Sequence, residues 1–317
     1  MIELQNILAA RKRLKGITKV TPLLSSEQLS LICGNELFLK AEHLQKTGSF
    51  KIRGATNKVK HAVKAGATYI TAASSGNHGQ AVAYIGNKLG VPTTIVVPEN
   101  ASLCKINAIK AYNGVIEKCG MTSTERILRA KEIAVQKNGV FIPPYDDDDV
   151  ISGQGTIALE VLEQLEDVEA IVVPIGGGGL VSGILTAIKE SHPKVKVIGV
   201  EPELANDTYL SLRSKSRVSI DATKTIADGL RTSQPGEVTF PILQKYLDDL
   251  VLVSEEEIRT ALYFVLERMK QLIEPSSAVS IAAAMSAKLG FTGKKVVVVI
   301  SGGNVDLEKL PQLFPKD

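Results

Sequence analysis

The stretch VVPIGGGGLVSGILTAI, residues 172–188, joins an apolar run, four consecutive glycines and a segment of helix length. The run that ends at Pro174 is apolar throughout, as expected of a strand covered by helices on both faces. Glycines between a strand and a helix let successive amides turn toward an anion, and the helix N-terminus adds unpaired donors. The stretch therefore predicts a strand, loop and helix of an α/β protein, with a phosphate cup in the loop.

The same pattern recurs along most of the 317 residues. Short β-branched runs alternate with helix-length segments, which indicates a doubly wound α/β architecture with mainly parallel sheets. Strands are predicted at 36–42, 68–73, 93–98, 115–119, 140–144, 170–174, 195–201, 250–254 and 295–301. The first sixteen residues, MIELQNILAARKRLKG, predict an amphipathic helix rather than a signal peptide.

Composition excludes several classes of protein. The net charge is only +3 and no basic block is present, so neither nucleic acid nor a membrane surface is expected as a partner. No apolar run approaches the roughly 18 residues of a membrane span. Three scattered cysteines do not make a disulfide framework, so a reducing cytoplasm is the expected location. The acidic run Asp146–Asp149 is interpreted as an exposed crossing between two lobes.

Two further loops follow predicted strands. In TAASSGNHGQAVAYIG, residues 71–86, the loop offers amides and hydroxyls that suit a carboxylate, although helix capping would use one or two of the same groups. In VVVVISGGNVDL, residues 296–307, serine and glycines follow the most apolar strand. Ligands collect at the carboxyl ends of strands in such sheets, so the three loops are expected to share one crevice.

The glycine spacing of 176–179 fits neither a dinucleotide fingerprint nor a P-loop, which favours a single phosphate monoester on a small cofactor. A second feature is Lys51, set between apolar residues in GSFKIRGA, residues 48–55. Taken alone it is either a solvated lysine or one held neutral by burial. A neutral lysine, a phosphate cup and a carboxylate cup together describe pyridoxal phosphate carrying an amino acid.

Five motifs in this order, GSFKIRGA, SSGNHGQA, GGGGLVSG, EPSSA and SGGNVD, resemble the serine racemase and serine/threonine dehydratase family of fold type II pyridoxal-phosphate enzymes. The resemblance runs from about Thr18 to Leu307. It implies a two-lobed α/β fold like the tryptophan synthase β chain, with helices on both faces of a mainly parallel sheet in each lobe. The implied domains are a large one, 1–51 and 145–317, and a small one, 52–144. A homodimer is implied as well.

The resemblance also assigns residues to the cofactor, pyridoxal 5′-phosphate, and to the substrate. Lys51 would form a Schiff base with the cofactor aldehyde. The other implied cofactor contacts are Phe50, Asn77, Gly176, Gly177, Gly178, Gly179 and Ser301. The implied substrate contacts are Ser74, Ser75, Gly76, Asn77, His78 and Arg126.

The implied reaction converts L-serine or L-threonine to pyruvate or 2-oxobutanoate plus ammonia, with Lys51 removing the α-proton. Ser75 stands where racemases of the family carry an acid/base on the opposite face, so serine racemisation is expected too. Eukaryotic 3-hydroxyaspartate dehydratases share this pattern, which leaves that elimination as the alternative. A non-catalytic protein that binds amino acids or nucleotides is the alternative of a different class.

Two effector sites are implied by the same resemblance. In VEPELAND, residues 200–207, the carboxylates of Glu201 and Asp207 and the carbonyl of Ala205 would bind Mg²⁺ or Ca²⁺. An ATP site at a subunit interface would involve Ser25, Ser26, Lys46, Thr47, Gln80 and Tyr112. Glu27, beside the two serines, places a negative charge there that opposes ATP binding.

Overall fold

The computed structural model describes residues 1–74, 76–101 and 103–314. Its strands are β1 (Leu23–Ser25), β2 (Glu36–Ala41), β3 (Ile70–Ala73), β4 (Thr93–Val97), β5 (Val115–Lys118), β6 (Val140–Phe141), β7 (Ala170–Pro174), β8 (Lys196–Pro202), β9 (Asp249–Val253) and β10 (Lys295–Ile300). Its α-helices are α1 (Leu4–Leu14), α2 (Glu27–Cys33), α3 (Lys51–Lys64), α4 (Asn77–Lys88), α5 (Leu103–Lys110), α6 (Ser123–Gln136), α7 (Asp148–Gln164), α8 (Gly179–Ser191), α9 (Asp207–Ser214), α10 (Thr239–Tyr246), α11 (Glu255–Phe264) and α12 (Pro275–Met285). Turns of 3₁₀-helix lie at Glu42–Leu44, Asp228–Leu230 and Leu307–Leu313, and a π-helical turn, Val265–Met269, follows α11.

The strands form two sheets. The large sheet has the order β1-β2-β10-β7-β8-β9, and the small sheet has the order β5-β4-β3-β6. All pairs are parallel except β1 with β2. The strands of the small sheet fall within 52–144 and those of the large sheet outside it, which is compatible with the expected domains, whose boundaries stay a prediction.

Helices cover both faces of each sheet. Successive residues of a strand point to opposite faces, so Val296 and Val298 pack with α11 and α12, whereas Val297 and Val299 pack with α1 and α8. In the small sheet, α3 and α4 lie against one face and α6 against the other. The α/β fold predicted from the alternation of strands and helices is therefore confirmed.

Three local features differ from the expectations or complete them. The three-residue strand β1 has no signal in the sequence, and β6 ends early because Pro143 and Pro144 have no N–H for a sheet. No helix within the described ranges is both long and apolar enough to cross a membrane. The three cysteines are free thiols.

The acidic run Asp146–Asp149 is half-buried rather than exposed, except at Asp148. Asp147 caps α7 by accepting hydrogen bonds from the amides of Asp149 and Val150. Asp146 likewise accepts hydrogen bonds from amides at the start of α10. The expectation of an exposed crossing was wrong because these carboxylates satisfy amides at the ends of two helices.

Four charged residues lie buried together where β2, α3 and α7 meet, and we call Lys40, Glu42, Arg53 and Glu160 the ionic cluster. Arg53 Nε donates to Glu42 Oε2 at 2.8 Å, and Arg53 Nη1 donates to Glu160 Oε1 at 2.6 Å. Lys40 Nζ donates to Glu160 Oε2 at 2.7 Å. The two positive and two negative charges compensate each other, which buried charges require. Because Arg53 lies two residues after Lys51, the cluster holds the first turn of α3 in place.

Glycines let α7 pack closely against both α3 and α8. A Cβ on Gly153 of α7 would lie 2.6 Å from the Cα of Gly54 in α3. A Cβ on Gly183 of α8 would lie 2.4 Å from the carbonyl oxygen of Ile151 in α7. Side chains at these positions would push the helices apart. The helix that begins at Lys51 and the helix that begins at Gly179 are thus set at a short distance from one central helix.

Glu160→Gln should destabilise the protein strongly, because it leaves Arg53 and Lys40 with one negative charge too few in a buried site. We expect a loss of about 3–5 kcal/mol in the free energy of unfolding. The matched control is Glu163→Gln, one turn along α7, where the carboxylate pairs with Arg11 at the surface. That change should cost less than about 1 kcal/mol. Urea unfolding measures both, and equal losses would contradict a structural role for the ionic cluster.

Candidate active site

The three loops singled out in the sequence meet at one cavity of about 360 Å³. It lies at the carboxyl ends of β3, β7 and β10, as expected for parallel strands. Among the expected site residues, those that line it are Phe50, Lys51, Ser74, Gly76, Asn77, His78, Gln80, Arg126, Gly176, Gly177, Gly178, Gly179 and Ser301. Ser75 lies outside the described residues.

Lys51 is the first residue of α3 and lies in the cavity wall. Its Nζ donates to the carbonyl oxygen of Pro144 at 2.6 Å and lies 5.2 Å from the ring centroid of Phe50. Burial lowers the pKa of this amine to about 8, although the nearby carboxyl of Glu274 acts in the opposite sense. An amine with this pKa is partly neutral near neutral pH, so it can act as a nucleophile or a base.

The glycine loop presents amides without internal partners. Within the described residues, no amide of Gly176–Gly179 donates a hydrogen bond to the protein. Gly178 has φ +89°, and a Cβ on Gly177 would lie 2.4 Å from the ring of Tyr145. Thr239 Oγ1 donates to the carbonyl oxygen of Gly177 at 2.8 Å, which fixes the loop. The free amides and the N-terminus of α8 suit a phosphate group.

The cavity is also lined by a carboxyl that was not predicted from the sequence, that of Glu274. Glu274 stands at the N-cap position of α12, yet its side chain makes no capping bond and is buried at the cavity. Asn77 Nδ2 donates to its two oxygens at 2.8 and 3.1 Å. Burial, and secondarily the charge of Asp228, raise the pKa of Glu274 to about 8, so the carboxyl is mostly protonated at neutral pH. The motif EPSSA contained it, but its position before a proline indicates only a helix start.

Asn77 is held in one orientation. While its Nδ2 donates to Glu274, its Oδ1 accepts a hydrogen bond from Asn304 Nδ2 at 2.7 Å. Asn304 Nδ2 also donates to the carbonyl oxygen of Thr47 at 2.8 Å. This network joins four segments of the chain around the cavity, so the amide group of Asn77 cannot flip without loss of hydrogen bonds.

His78 is a neutral, structural histidine. Its Nε2 lies 2.9 Å from the carbonyl oxygen of Ile142, so this nitrogen carries the proton and donates. Burial, with the charge of Lys51 as a second cause, lowers the pKa of His78 to about 3. Nδ1 is buried and has no partner among the described residues. His78 therefore remains uncharged over the physiological range of pH.

Ser301 is fixed at the end of β10 by its neighbours. Its hydroxyl lies 3.0 Å from Ser277 Oγ, which in turn donates to the carbonyl oxygen of Gly302 at 2.6 Å. The backbone carbonyl of Ser301 accepts from the amide of Phe50 at 3.0 Å, which ties this loop to the residue before Lys51. Ser277, also in EPSSA, was not predicted as part of the site, because it does not line the cavity and instead supports Ser301 and Gly302.

Three charged side chains lie at the rim of the cavity. Arg126 donates to the carbonyl oxygen of Met121 and to Ser123 Oγ, both at 3.1 Å, and both acceptors are neutral. Lys105 Nζ donates to Asp228 Oδ2 at 2.9 Å. Lys105 belongs to α5, beside the small sheet, whereas Asp228 lies in the 3₁₀ turn on the other side of the cavity.

The expected cation ligands lie behind the cavity wall. Glu201 and Asp207 are fully buried, and Asp207 Oδ1 is 3.4 Å from the hydroxyl of Thr232, which lines the cavity. Burial, with the charge of Asp207 as a second cause, raises the pKa of Glu201 to about 8; burial raises that of Asp207 to about 7. Glu201 also accepts hydrogen bonds from the amides of Thr208 and Tyr209. No group of three or more His, Cys, Asp or Glu is arranged for a metal in the part of the chain that the structure describes. The set of two carboxylates and the Ala205 carbonyl stays a prediction.

The residues expected to bind a nucleotide are only partly brought together. Tyr112 Oη donates to the carbonyl oxygen of Lys46 at 3.3 Å, and Gln80 lies in the cavity wall. Thr47 is buried, and its Oγ1 has no partner within the described ranges. Ser26 instead caps α2, accepting from the amide of Leu29, and Ser25 belongs to β1. A nucleotide site stays a prediction.

Comparison with known proteins agrees with this geometry. A family model described as pyridoxal-phosphate dependent enzyme matches residues 14–302. The chain is 44% identical to the L-threonine ammonia-lyase of Thermotoga maritima, over all of this chain and 79% of that protein. It is 41% identical to the L-threo-3-hydroxyaspartate ammonia-lyase of Saccharomyces cerevisiae, over 98% of this chain and 95% of that protein.

A solved structure of maize serine racemase superposes with a TM-score of 0.94 at 35% identity, over 98% of this chain and 96% of that one. The free amides of the glycine loop and the buried lysine also fit the phosphate and the aldehyde of pyridoxal phosphate. The chain therefore belongs to the pyridoxal-phosphate dependent enzymes, within the family of the serine racemases and the serine/threonine dehydratases.

Proposed function

We propose that this enzyme converts L-serine and L-threonine to pyruvate and 2-oxobutanoate plus ammonia, and that it also racemises serine. The observation that carries the proposal is the buried amine of Lys51, with a pKa of about 8, in a cavity that also offers a phosphate cup and a carboxylate cup. The relatives named threonine ammonia-lyase and serine racemase support it.

The residues that would hold pyridoxal phosphate are the amides of Gly176–Gly179 at its phosphate, Phe50 beside its ring, Asn77 at the ring hydroxyl and Ser301 at the ring nitrogen. When bound, the cofactor supplies an electron sink for the electrons that α-proton removal leaves behind. At this nitrogen Ser301 would offer a neutral hydroxyl rather than a carboxylate. That choice favours prompt loss of the β-hydroxyl over long retention of the negative charge.

Lys51 is the proposed base that removes the α-proton. Its lowered pKa keeps part of the population neutral at physiological pH, which a general base needs. The carbonyl of Pro144 holds the amine at the cavity wall. The amides at the start of α4, around Gly76–His78, would bind the substrate carboxylate, since a helix N-terminus stabilises an anion.

We expect purified enzyme supplied with pyridoxal phosphate to be yellow and to release 2-oxo acid from L-serine and L-threonine. Lys51→Ala should remove the colour and lower turnover by at least about a thousandfold, because both cofactor attachment and proton removal depend on this amine. The control is Lys64→Ala, an exposed lysine of the same helix, which should change neither. A colourless wild-type protein that binds no cofactor would overturn the proposal and favour a non-catalytic binding protein.

Ser75 is the proposed acid/base on the face opposite Lys51, on the ground of the family resemblance alone. Ser75→Ala should lower D-serine formation from L-serine by more than about a hundredfold while elimination from L-serine persists. The two products are measured in the same reaction, by enantiomer analysis and by 2-oxo acid release. Equal loss of both would show that Ser75 is not the base of the opposite face.

A second candidate activity is elimination from 3-hydroxyaspartate. The observation that favours it is Arg126, whose guanidinium lies at the rim with two neutral acceptors and can meet a second substrate carboxylate. The relative from Saccharomyces cerevisiae bears the name of this activity. An assay of serine, threonine and 3-hydroxyaspartate side by side ranks the two candidates by kcat/KM.

We also propose a divalent cation, Mg²⁺ or Ca²⁺, at Glu201, Asp207 and the carbonyl of Ala205. Two buried carboxyls side by side are costly once both are ionised, and a cation offsets that cost. Their pKa values are raised by burial, so their contribution to stability is lost as pH rises through about 7 and 8. A cation competes with protons for the same oxygens.

The cation should therefore raise the melting temperature more at a pH above both pKa values than at a pH below both. EDTA should reverse the gain at the higher pH. Glu201→Gln should abolish the response, whereas Glu203→Gln, an exposed neighbour, should retain it. A melting temperature that changes with neither the cation nor EDTA at the higher pH would argue against this site.

We also propose that the enzyme is a homodimer, that it binds ATP and that it is located in the cytoplasm. A homodimer is supported by the exposed apolar side chains of Leu31 and Ile32 on α2, and ATP binding is supported by the approach of Tyr112 to Lys46. The location in a reducing cytoplasm is supported by the free thiols. These are proposals for the same enzyme and do not alter the assignment of the reaction.

A further inference from the structure

The ion pair of Lys105 and Asp228 crosses the rim of the cavity. Its two partners come from opposite walls, α5 beside the small sheet and the 3₁₀ turn Asp228–Leu230, and both side chains line the cavity. Nζ and Oδ2 are 2.9 Å apart, with 32% of the Lys105 side chain and 46% of the Asp228 side chain exposed. An ion pair with this much exposure is weak, so another carboxylate in the cavity can compete with it.

The two partners differ in freedom. The turn that carries Asp228 is anchored, since the amide of Gly229 donates to Ser276 Oγ at 2.9 Å and Leu230 is buried against the glycine loop. Lys105 has a long flexible side chain that holds its ammonium group beyond the helix surface. Asp228 is therefore a fixed negative charge at the rim, and Lys105 is a movable positive charge that it holds.

The roles of the other charged residues in the cavity leave this ion pair to respond to the charge of the substrate side chain. The charged side chains that line it are Lys51, Lys105, Arg126, Asp228, Glu274 and Asp306. Glu274 is mostly protonated at neutral pH, and Lys51 serves the cofactor in the proposed function. Arg126 already faces neutral acceptors. Lys105 is thus the positive charge at the rim that a carboxylate of the cavity itself holds, so its availability to a substrate depends on Asp228.

We propose that Lys105 and Asp228 together set how well the cavity accepts an amino acid with an acidic side chain. With serine or threonine as substrate, nothing competes for Lys105 and the ion pair persists. An acidic side chain gains Lys105 as a partner only by drawing it away from Asp228, and Asp228 then remains as a like charge that repels the substrate. Asp228 disfavours acidic substrates on both counts. This inference rests on the proposed function, because it concerns the substrate class of the same cavity.

L-Aspartate and L-asparagine test the proposal, since they match in shape and differ by one charge. Neither carries a β-hydroxyl, so β-hydroxyl elimination does not consume them, and binding is read from the change in cofactor absorbance of the holoenzyme. Asp228→Asn should raise the affinity for L-aspartate about five- to tenfold and leave that for L-asparagine within about twofold. Lys105→Gln should lower the affinity for L-aspartate by a similar factor and leave the affinity for L-asparagine unchanged.

Matched controls separate this effect from a general change in charge. Lys110→Gln on the same helix and Asp221→Asn upstream of the turn alter the same charges at exposed positions, and neither should change the ratio of the two affinities. In the double variant Lys105→Gln with Asp228→Asn, the gain from losing Asp228 should shrink. Equal shifts for aspartate and asparagine in both single variants would show that the pair only braces the rim, and would overturn the inference.

The inference and the proposed function fail in different ways. Only the inference is refuted if the wild-type enzyme eliminates serine or threonine but the variants at Lys105 and Asp228 leave the ratio of the two affinities unchanged. Wild-type enzyme that releases no 2-oxo acid from any hydroxyamino acid refutes the proposed elimination, yet the ratio of the two affinities still decides the role of Lys105. A holoenzyme that eliminates serine or threonine but binds neither L-aspartate nor L-asparagine refutes the inference and leaves the proposed function standing.

Discussion

Burial of the Arg53 guanidinium is the constraint on which the reaction centre depends. A charge removed from water must be matched by opposite charges and by a complete set of hydrogen bonds, which here come from the 3₁₀ turn after β2 and from α7. Arg53 can reach both carboxylates only if the first turn of α3 has one position and one rotation about the helix axis. Lys51 lies two residues earlier in the same turn, so its position is fixed together with that of Arg53. The position of the Lys51 amine is thus set mainly by the buried charges behind it and only in part by apolar packing.

One physical cause, the exclusion of water, sets the protonation of three groups around the cavity. It brings the amine of Lys51 within reach of neutrality, keeps His78 uncharged and leaves a proton on Glu274 at neutral pH. The Lys51 and Glu274 groups oppose each other, since an ionised Glu274 would favour the charged form of the lysine. His78 contributes no charge, so among these three groups only Lys51 and Glu274 change their charge with pH near neutrality.

The sequence predicted what depends on local chemistry. Apolar runs located the strands other than β1, and the run Gly176–Gly179 marked a loop between a strand and a helix. The binding of a phosphate by this loop stays a prediction. Glu274 was missed because its role depends on where the start of α12 lies relative to Asn77, almost two hundred residues away. The carboxylates of Asp146–Asp149 were misread for a similar reason, since only the folded chain brings Asp146 to the N-terminus of α10.

The glycine contacts of α7 have a consequence for redesign of the enzyme. The separation between the lysine at the start of α3 and the cup at the start of α8 equals the thickness of α7 plus two contacts that lack side chains, at Gly54 with Gly153 and at Gly155 with Gly183. A single methyl group at either contact would widen that span and leave every group of the cavity chemically intact. These glycines are therefore the positions at which the reach of the lysine could be adjusted to a cofactor analogue of different length.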